Sequence, residues 1–145
     1  MPETDPTVHA TAILVGPKAV LIRGPSGSGK SRLALGLLQS WRFARLVGDD
    51  RVYLEAANGR LLVRPADELA GLLEVRGLGI RRLPFELVAV LGLIVDLGVE
   101  TDRLPEPSAM KAELSGVILP RVSLPAEPDP LPVVLATLGR PISGN

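Results

Sequence analysis

The sequence predicts an α/β fold, a mixed sheet flanked by helices, and three observations point to it. A Gly-rich loop joins a strand pattern to a helix pattern. Short aliphatic runs recur between turn signals. Aromatic residues make up only 3% of the 145 residues against 46% apolar, so Leu, Val, Ile and Ala must fill the interior, as they do in buried strands and the helices that cover them. A chain of this length is expected to form one domain over residues 1–145, with a loose polar start at 1–8 and a Pro-rich C-terminal region at 105–145.

From His9, HATAILV-GPK-AVLIR reads as two strands joined by a short Gly-Pro turn. With Val15 opposite Ala19, Ile13 faces Leu21 and His9 falls beside Gly24 and Pro25, which delivers the single histidine to the Gly-rich loop. KSRLALGLLQSW places Leu33, Ala34, Leu35, Leu37 and Leu38 in a broad stripe suited to a helix packed on a sheet. ARLVG is a strand that ends at Asp49-Asp50. VYLEA and RLLVR, on either side of Ala57-Asn58-Gly59, form a second hairpin. PADELAGL has Pro65 at a first helical position and is expected as one short helix. LEVRGLGI, with two glycines, is strand and turn, and LVAVLGLIVDL is a central strand. Most of the 14 prolines lie from Pro105 onward, leaving room for a short helix near 110–114 and one strand near 133–136.

Charge and composition exclude several functions. The 16 basic and 16 acidic residues cancel, so the broad positive field of a nucleic-acid or polybasic membrane binder is missing. There is no Cys, which removes disulfides, thiol catalysis and thiolate metal sites. The start, MPETDPTVHA, has no basic or apolar stretch to mark export, and the longest apolar run, Leu87 to Val95, falls far short of the ~20 residues of a membrane span. The expectation is a cytoplasmic protein with no membrane or nucleic-acid partner.

GPSGSGKS, formed by Gly24, Pro25, Ser26, Gly27, Ser28, Gly29, Lys30 and Ser31, matches the GxxxxGK[ST] phosphate-binding loop at a strand-to-helix junction. Gly27 and Gly29 let the backbone curl around phosphates, and the amides opening the helix supply donors at its positive end. Lys30 can reach the β and γ phosphates, and Ser31 can offer a hydroxyl to magnesium. The Asn-Lys-x-Asp segment of a small GTPase is absent, and translocating ATPases are larger and more basic, so a kinase fits best.

Asp49 and Asp50 follow a strand whose C-terminal end an α/β sheet returns to the edge that holds the loop. One acid can hold metal or orient a base while the other takes a proton from an attacking hydroxyl; an exposed acidic turn paired with Arg51 is the plainer alternative. Glu74 opens EVRGLG, where it can complete a magnesium shell or simply pair with Arg76 at the surface. Arg103 in ETDRLPE reads by itself as a solvated loop residue.

Taken together, His9 at its distance before the loop, GPSGSGKS, LVGDD, LLEVRGLGI and ETDRL resemble the catalytic domain of the HPr kinase/phosphorylase family, bacterial enzymes acting on a serine of the phosphocarrier HPr. The resemblance covers residues 9–104. It implies that Asp50 accepts the proton in phosphorylation and donates it in the reverse reaction, that His9, Lys30 and the neighbouring Asp49 complete the active centre, that Ser31 and Glu74 handle magnesium, and that Arg103 contributes to catalysis. It further implies ATP and Mg2+ as cofactors and an HPr-like phosphocarrier protein as partner.

Some features depart from the family's pattern. Too little chain precedes His9 for the family's N-terminal domain, so the short, kinase-only form is expected, and self-association of the family's hexameric kind is left open. The spacing from Lys30 to the acids is slightly long, which leaves a one-residue slip between Asp49 and Asp50 open. SLPAEPDPLP replaces a basic, Gly-containing segment linked to dephosphorylation, which counts against phosphorylase activity. A P-loop kinase of small molecules and a nucleotide-sensing module without catalysis are the rival readings.

Overall fold

The structure, a computed structural model, describes residues 7–99 and 106–139. Its strands are β1 (Ala10–Val15), β2 (Lys18–Arg23), β3 (Arg45–Gly48), β4 (Val52–Ala57), β5 (Arg60–Pro65), β6 (Leu72–Val75), β7 (Gly79–Arg82), β8 (Ala89–Leu97), β9 (Lys111–Leu114) and β10 (Val117–Leu124), and its helices are α1 (Lys30–Ser40) and α2 (Leu131–Thr137). The main sheet runs β3-β1-β2-β8-β10-β9, with the β4-β5 hairpin attached through β5 to β8 and a separate β6-β7 hairpin. This is the mixed sheet flanked by helices that the sequence predicts.

β8 is the spine. β2 and β10 flank it in parallel, and β5 pairs antiparallel with its first residues, Ala89 and Val90. Because β1 is antiparallel to both β2 and β3, the start of β1 and the ends of β2, β3 and β8 come together at one edge. That edge of an α/β sheet is where loops gather ligands. One core cluster, including Ile13, Ile22, Leu46 and Val95, is covered by Leu33 and Leu37 of α1 and by Val134 of α2. A second, on the other side of the strands, joins Leu21, Val47 and Ile94 to Leu61 and Val63 of β5. No helix among the described residues is long and apolar enough to cross a membrane.

The structure corrects four local expectations. The first hairpin turns on two residues, with Gly16 at φ 67, so Val15 pairs with Lys18 and Ile13 with Val20 instead of Ala19 and Leu21. Every pair moves by one, which sets His9 opposite Gly24 by continuation. Pro65 ends β5 rather than opening a helix, and PADELAGL keeps only one 3-10 turn, Asp67–Leu69. The segment at 110–114 is the edge strand β9, preceded by a 3-10 turn at Pro107–Met110, because Lys111–Leu114 finds a partner in β10. Residues 133–136 are helical within α2, where Val134 is fully buried and Leu131 reaches Gly36 of α1. The strand at 117–124 was obscured by Pro120. That residue sits where β10 changes partner from β9 to β8, so its missing N–H breaks no ladder bond to the spine.

Asp96, near the end of β8, is buried between two cations. Arg23 donates from Nε at 2.7 Å and from a terminal nitrogen at 2.8 Å, and Arg121 of β10 donates to the second oxygen. Burial pushes the Asp96 carboxyl up, but the hydrogen bonds and charges of Arg23 and Arg121 outweigh it and hold the group below its ordinary range. The folded pKa is therefore depressed, so the stabilisation is present above the unfolded pKa and disappears as pH falls through the folded one. Asp96→Ala is expected to lower unfolding free energy at neutral pH by about 3 kcal/mol, the low end for a broken buried pair because both arginines keep some water. Urea titrations from pH 7 down to pH 3 should show the difference between wild type and variant shrinking below about pH 4.

Candidate active site

The loop from Gly24 to Gly29 leaves β2 and enters α1, whose first residue is Lys30. Gly24 is required by space: a Cβ there would stand 2.5 Å from Ser28 Oγ and 2.8 Å from the Leu97 carbonyl oxygen. The loop thus lies directly on the end of β8. Lys30 is 8% exposed and its Nζ donates to the carbonyl oxygens of Gly24 at 2.8 Å and Pro25 at 3.2 Å. One ammonium curls the loop around itself.

Asp49 is 7% exposed and receives three donors from three elements. Thr11 Oγ1 of β1 lies 2.7 Å from Oδ1, Ser31 Oγ of α1 lies 2.9 Å from the same oxygen, and the backbone N–H of Glu74 in β6 lies 3.2 Å from Oδ2. Asp50 is different. Its side chain is 62% exposed and its Oδ1 lies 2.9 Å from His9 Nε2, itself 42% exposed. The two adjacent acids are therefore chemically distinct: one is a buried anchor, the other an accessible carboxylate paired with an imidazole.

A bulge produces this arrangement. Ile13 pairs with Leu46 but Ala12 pairs with Gly48, so Val47 is an extra residue and the register beyond it moves by one. The shift continues outward, with Ala10 N–H donating to the Asp50 carbonyl and Val8 bridging Val52, and it sets Asp49 across from Thr11. Strand alternation would then turn Asp50 to the opposite face. It does not, because Asp50 sits at φ 72, in the left-handed region that Asp tolerates better than most residues. Both acids line the same cleft as Lys30, with a volume of about 470 Å3.

Glu74 lines that cleft, as do Val75 and Arg76. Arg103 lies outside the described residues. Ser31, expected with Glu74 at a metal, donates its hydroxyl to Asp49. No group of three or more His, Asp or Glu side chains among the described residues is arranged to hold a metal by itself. Hard oxygen donors are nevertheless present in Ser31 and Asp49 with Glu74 near by, a set that suits an ion keeping water or phosphate as its other ligands. Two features escaped the sequence reading. Thr11 is a fully buried hydroxyl in an aliphatic strand, and only its polarity at a core-facing position could have flagged it. Arg32, just after the loop, reaches Glu127 at 3.2 Å and the Ala126 carbonyl at 3.1 Å, so the segment after β10 forms the far rim of the cleft.

A phosphate-type loop on a mixed sheet, with acids from the neighbouring strand end lining the same cleft as its lysine, defines a P-loop protein. Residues 3–130 match the family model described as the HPr serine kinase C-terminal domain, and the chain belongs to that family. Relatives called HPr kinase/phosphorylase include those of Limosilactobacillus reuteri, 34% identical over 83% of this chain and 41% of that protein, and of Streptococcus thermophilus, 35% identical over 83% and 42%. The chain thus spans about two-fifths of the length of the curated relatives it matches. The solved structure of the Hpr(Ser) kinase/phosphatase from Coxiella burnetii superposes with a TM-score of 0.73 at 26% identity, covering 92% of this chain and 93% of that one.

Asp49→Asn tests the anchor. An amide offers one acceptor oxygen where the carboxylate offers two, so at least one of the three donors is left facing an NH2 group. Chemical denaturation should register a loss of about 1–3 kcal/mol. Thr11→Val, which removes one donor and leaves the acid, should cost less.

Proposed function

We propose that the chain is an ATP- and Mg2+-dependent serine kinase whose acceptor is an HPr-like phosphocarrier protein and whose activity regulates a phosphotransferase system in the cytoplasm. The single observation that carries the reading is the division of labour between the acids: Asp50 is accessible and paired with His9 at 2.9 Å, while Asp49 is buried on Ser31, in one cleft with Lys30. Family membership supports the reaction class.

In this reading the triphosphate takes the Lys30 ammonium from the carbonyls of Gly24 and Pro25, and the amides at the start of α1 bind its oxygens. Ser31 and Asp49, with Glu74 alongside, would hold Mg2+, which when bound neutralises charge on the transferring phosphoryl group. Asp50 accepts the proton of the serine hydroxyl as that oxygen attacks the γ-phosphorus, the bond from that phosphorus to the β,γ-bridging oxygen breaks and ADP leaves, and His9, bonded to Oδ1, fixes the orientation of the carboxylate. The exposure of Asp50 suits an acceptor carried on a macromolecule, which must bring its hydroxyl to the base from outside. Arg103 keeps the role its position in ETDRL implies.

Transfer of radiolabel from ATP to purified HPr tests the proposal. Asp50→Asn should retain nucleotide affinity and lower kcat about 10²–10⁴-fold, and Lys30→Ala should lose both. An Asp50→Asn enzyme of undiminished rate would overturn the base assignment. Label on a metabolite instead of HPr would favour a small-molecule kinase, and nucleotide binding without turnover a sensor.

A further inference from the structure

The first turn of α1 carries two cations, Lys30 and Arg32, and no acid. That is the reverse of what a helix start favours, because its free amides already form the positive end of the backbone dipole. Gly29 stands at the N-cap and no side chain caps the helix. In the same loop Ser28, 6% exposed, leaves its buried hydroxyl without a hydrogen-bond partner among the described residues. The missing negative charge comes from 95 residues further along the chain: Arg32 Nη1 donates to Glu127 Oε1 at 3.2 Å, and Nη2 donates to the Ala126 carbonyl at 3.1 Å. The arginine stays close to the loop. A Cβ at Gly29 would lie 3.6 Å from Nη2 and 3.7 Å from Nε, so the guanidinium rests against the last loop residue, and Arg32, Ala126 and Glu127 all line the cleft of Lys30 and Ser31. Lys30 is buried on its two carbonyls, whereas the Arg32 and Glu127 side chains are 54% and 73% exposed, and exposed ion pairs are weak. The rim depends on this weak hold. Between Leu124, whose carbonyl accepts from Gly98, and Asp129, which accepts from the Leu131 N–H, the hydrogen bonds among the described residues all come from Arg32.

We propose that Arg32 is a polyphosphate ligand held in reserve: a bound triphosphate takes its guanidinium from Glu127 and Ala126, and the rim at 125–128 is released from α1 as it does so. The inference rests on the nucleotide-binding part of the reading above, to which it adds one ligand and one internal competitor. A triphosphate offers several anionic oxygens to the planar fork of donors, against one carboxylate and one carbonyl at the rim, so the exchange favours the nucleotide. Glu127 competes for the same guanidinium. Occupancy of the loop and attachment of the rim therefore oppose each other, and the coupling acts equally in both directions.

The experiment is calorimetric titration of a non-hydrolysable ATP analogue with Mg2+ into the full chain. It compares wild type, Arg32→Gln, Glu127→Gln, the double variant and Arg64→Gln, with circular dichroism on each to show that it is folded. Arg64 pairs with Glu55 at 3.8 Å on the β4-β5 hairpin and controls for the loss of one positive charge. Arg32→Gln should weaken binding about tenfold or more. Glu127→Gln should tighten it about two- to fivefold, and that gain should vanish in the double variant, because the competitor acts only through Arg32. Binding by Arg32→Gln equal to that of wild type overturns the inference and leaves the kinase reading standing. Unchanged or weaker binding by Glu127→Gln identifies the pair as a fixed strut for the rim and overturns the exchange, whether or not Arg32→Gln folds. An Arg64→Gln variant weakened as much as Arg32→Gln assigns the effect to net charge and overturns it too. Failure of the wild-type chain to bind the analogue removes the nucleotide reading, and this inference with it.

Discussion

Asp49 is the residue through which the site is assembled. A carboxylate 7% exposed is tolerable only if its charge is met by donors, and here each donor comes from a different element: a hydroxyl on β1, a hydroxyl on α1 and an amide on β6. The same three bonds that satisfy the charge therefore also set the distance from the phosphate loop to the strand end and seat the β6-β7 hairpin beside both. Hydrogen bonds to an ionised group contribute about 1.5–3 kcal/mol each. Loss of the carboxylate would loosen three walls of the cleft at once.

The second constraint concerns neighbours in sequence. Two consecutive residues on a strand point to opposite faces, yet here a buried carboxylate and an accessible one line one cleft. The fold reconciles these demands with one irregularity for each acid. The extra residue Val47 moves Asp49 to the face of Thr11, and the left-handed backbone of Asp50 brings the next side chain round to His9. Strained backbone costs of order 1–3 kcal/mol and persists where the surroundings determine it. Here a backbone bond from Ala10 to the Asp50 carbonyl and a carboxylate–imidazole pair do so.

Beneath the loop, the end of β8 supplies the floor. Leu97 approaches Gly24 so closely that no side chain fits, and Asp96, one residue earlier, binds Arg23 of β2 and Arg121 of β10. The ion cluster thus joins the three parallel strands at the level where the phosphate loop departs. Acid that protonates Asp96 acts on stability first, and on the site only through that floor.

Much of this was legible in the residues. GPSGSGKS states its own geometry because glycine spacing and a following lysine act within a few residues, and the stripe from Leu33 to Leu38 and the run through Val95 mark α1 and β8 for the same reason. The tail was misread because its segments are settled by partners: Lys111–Leu114 becomes a strand by pairing with β10, and Leu131–Thr137 a helix by packing Val134 against the core. Residue types and their spacing alone predict the sheet-and-helix class, the GPSGSGKS loop at a strand-to-helix junction and the adjacent acids at a strand end. That Asp49 is the anchor and Asp50 the exposed partner of His9, and that Thr11, 38 residues from Asp49, bonds to that anchor, follows from the folded chain alone. The physical reason is that residue type and spacing act over a turn or two of chain, whereas a bulge and its register exist only once β1 and β3 have met.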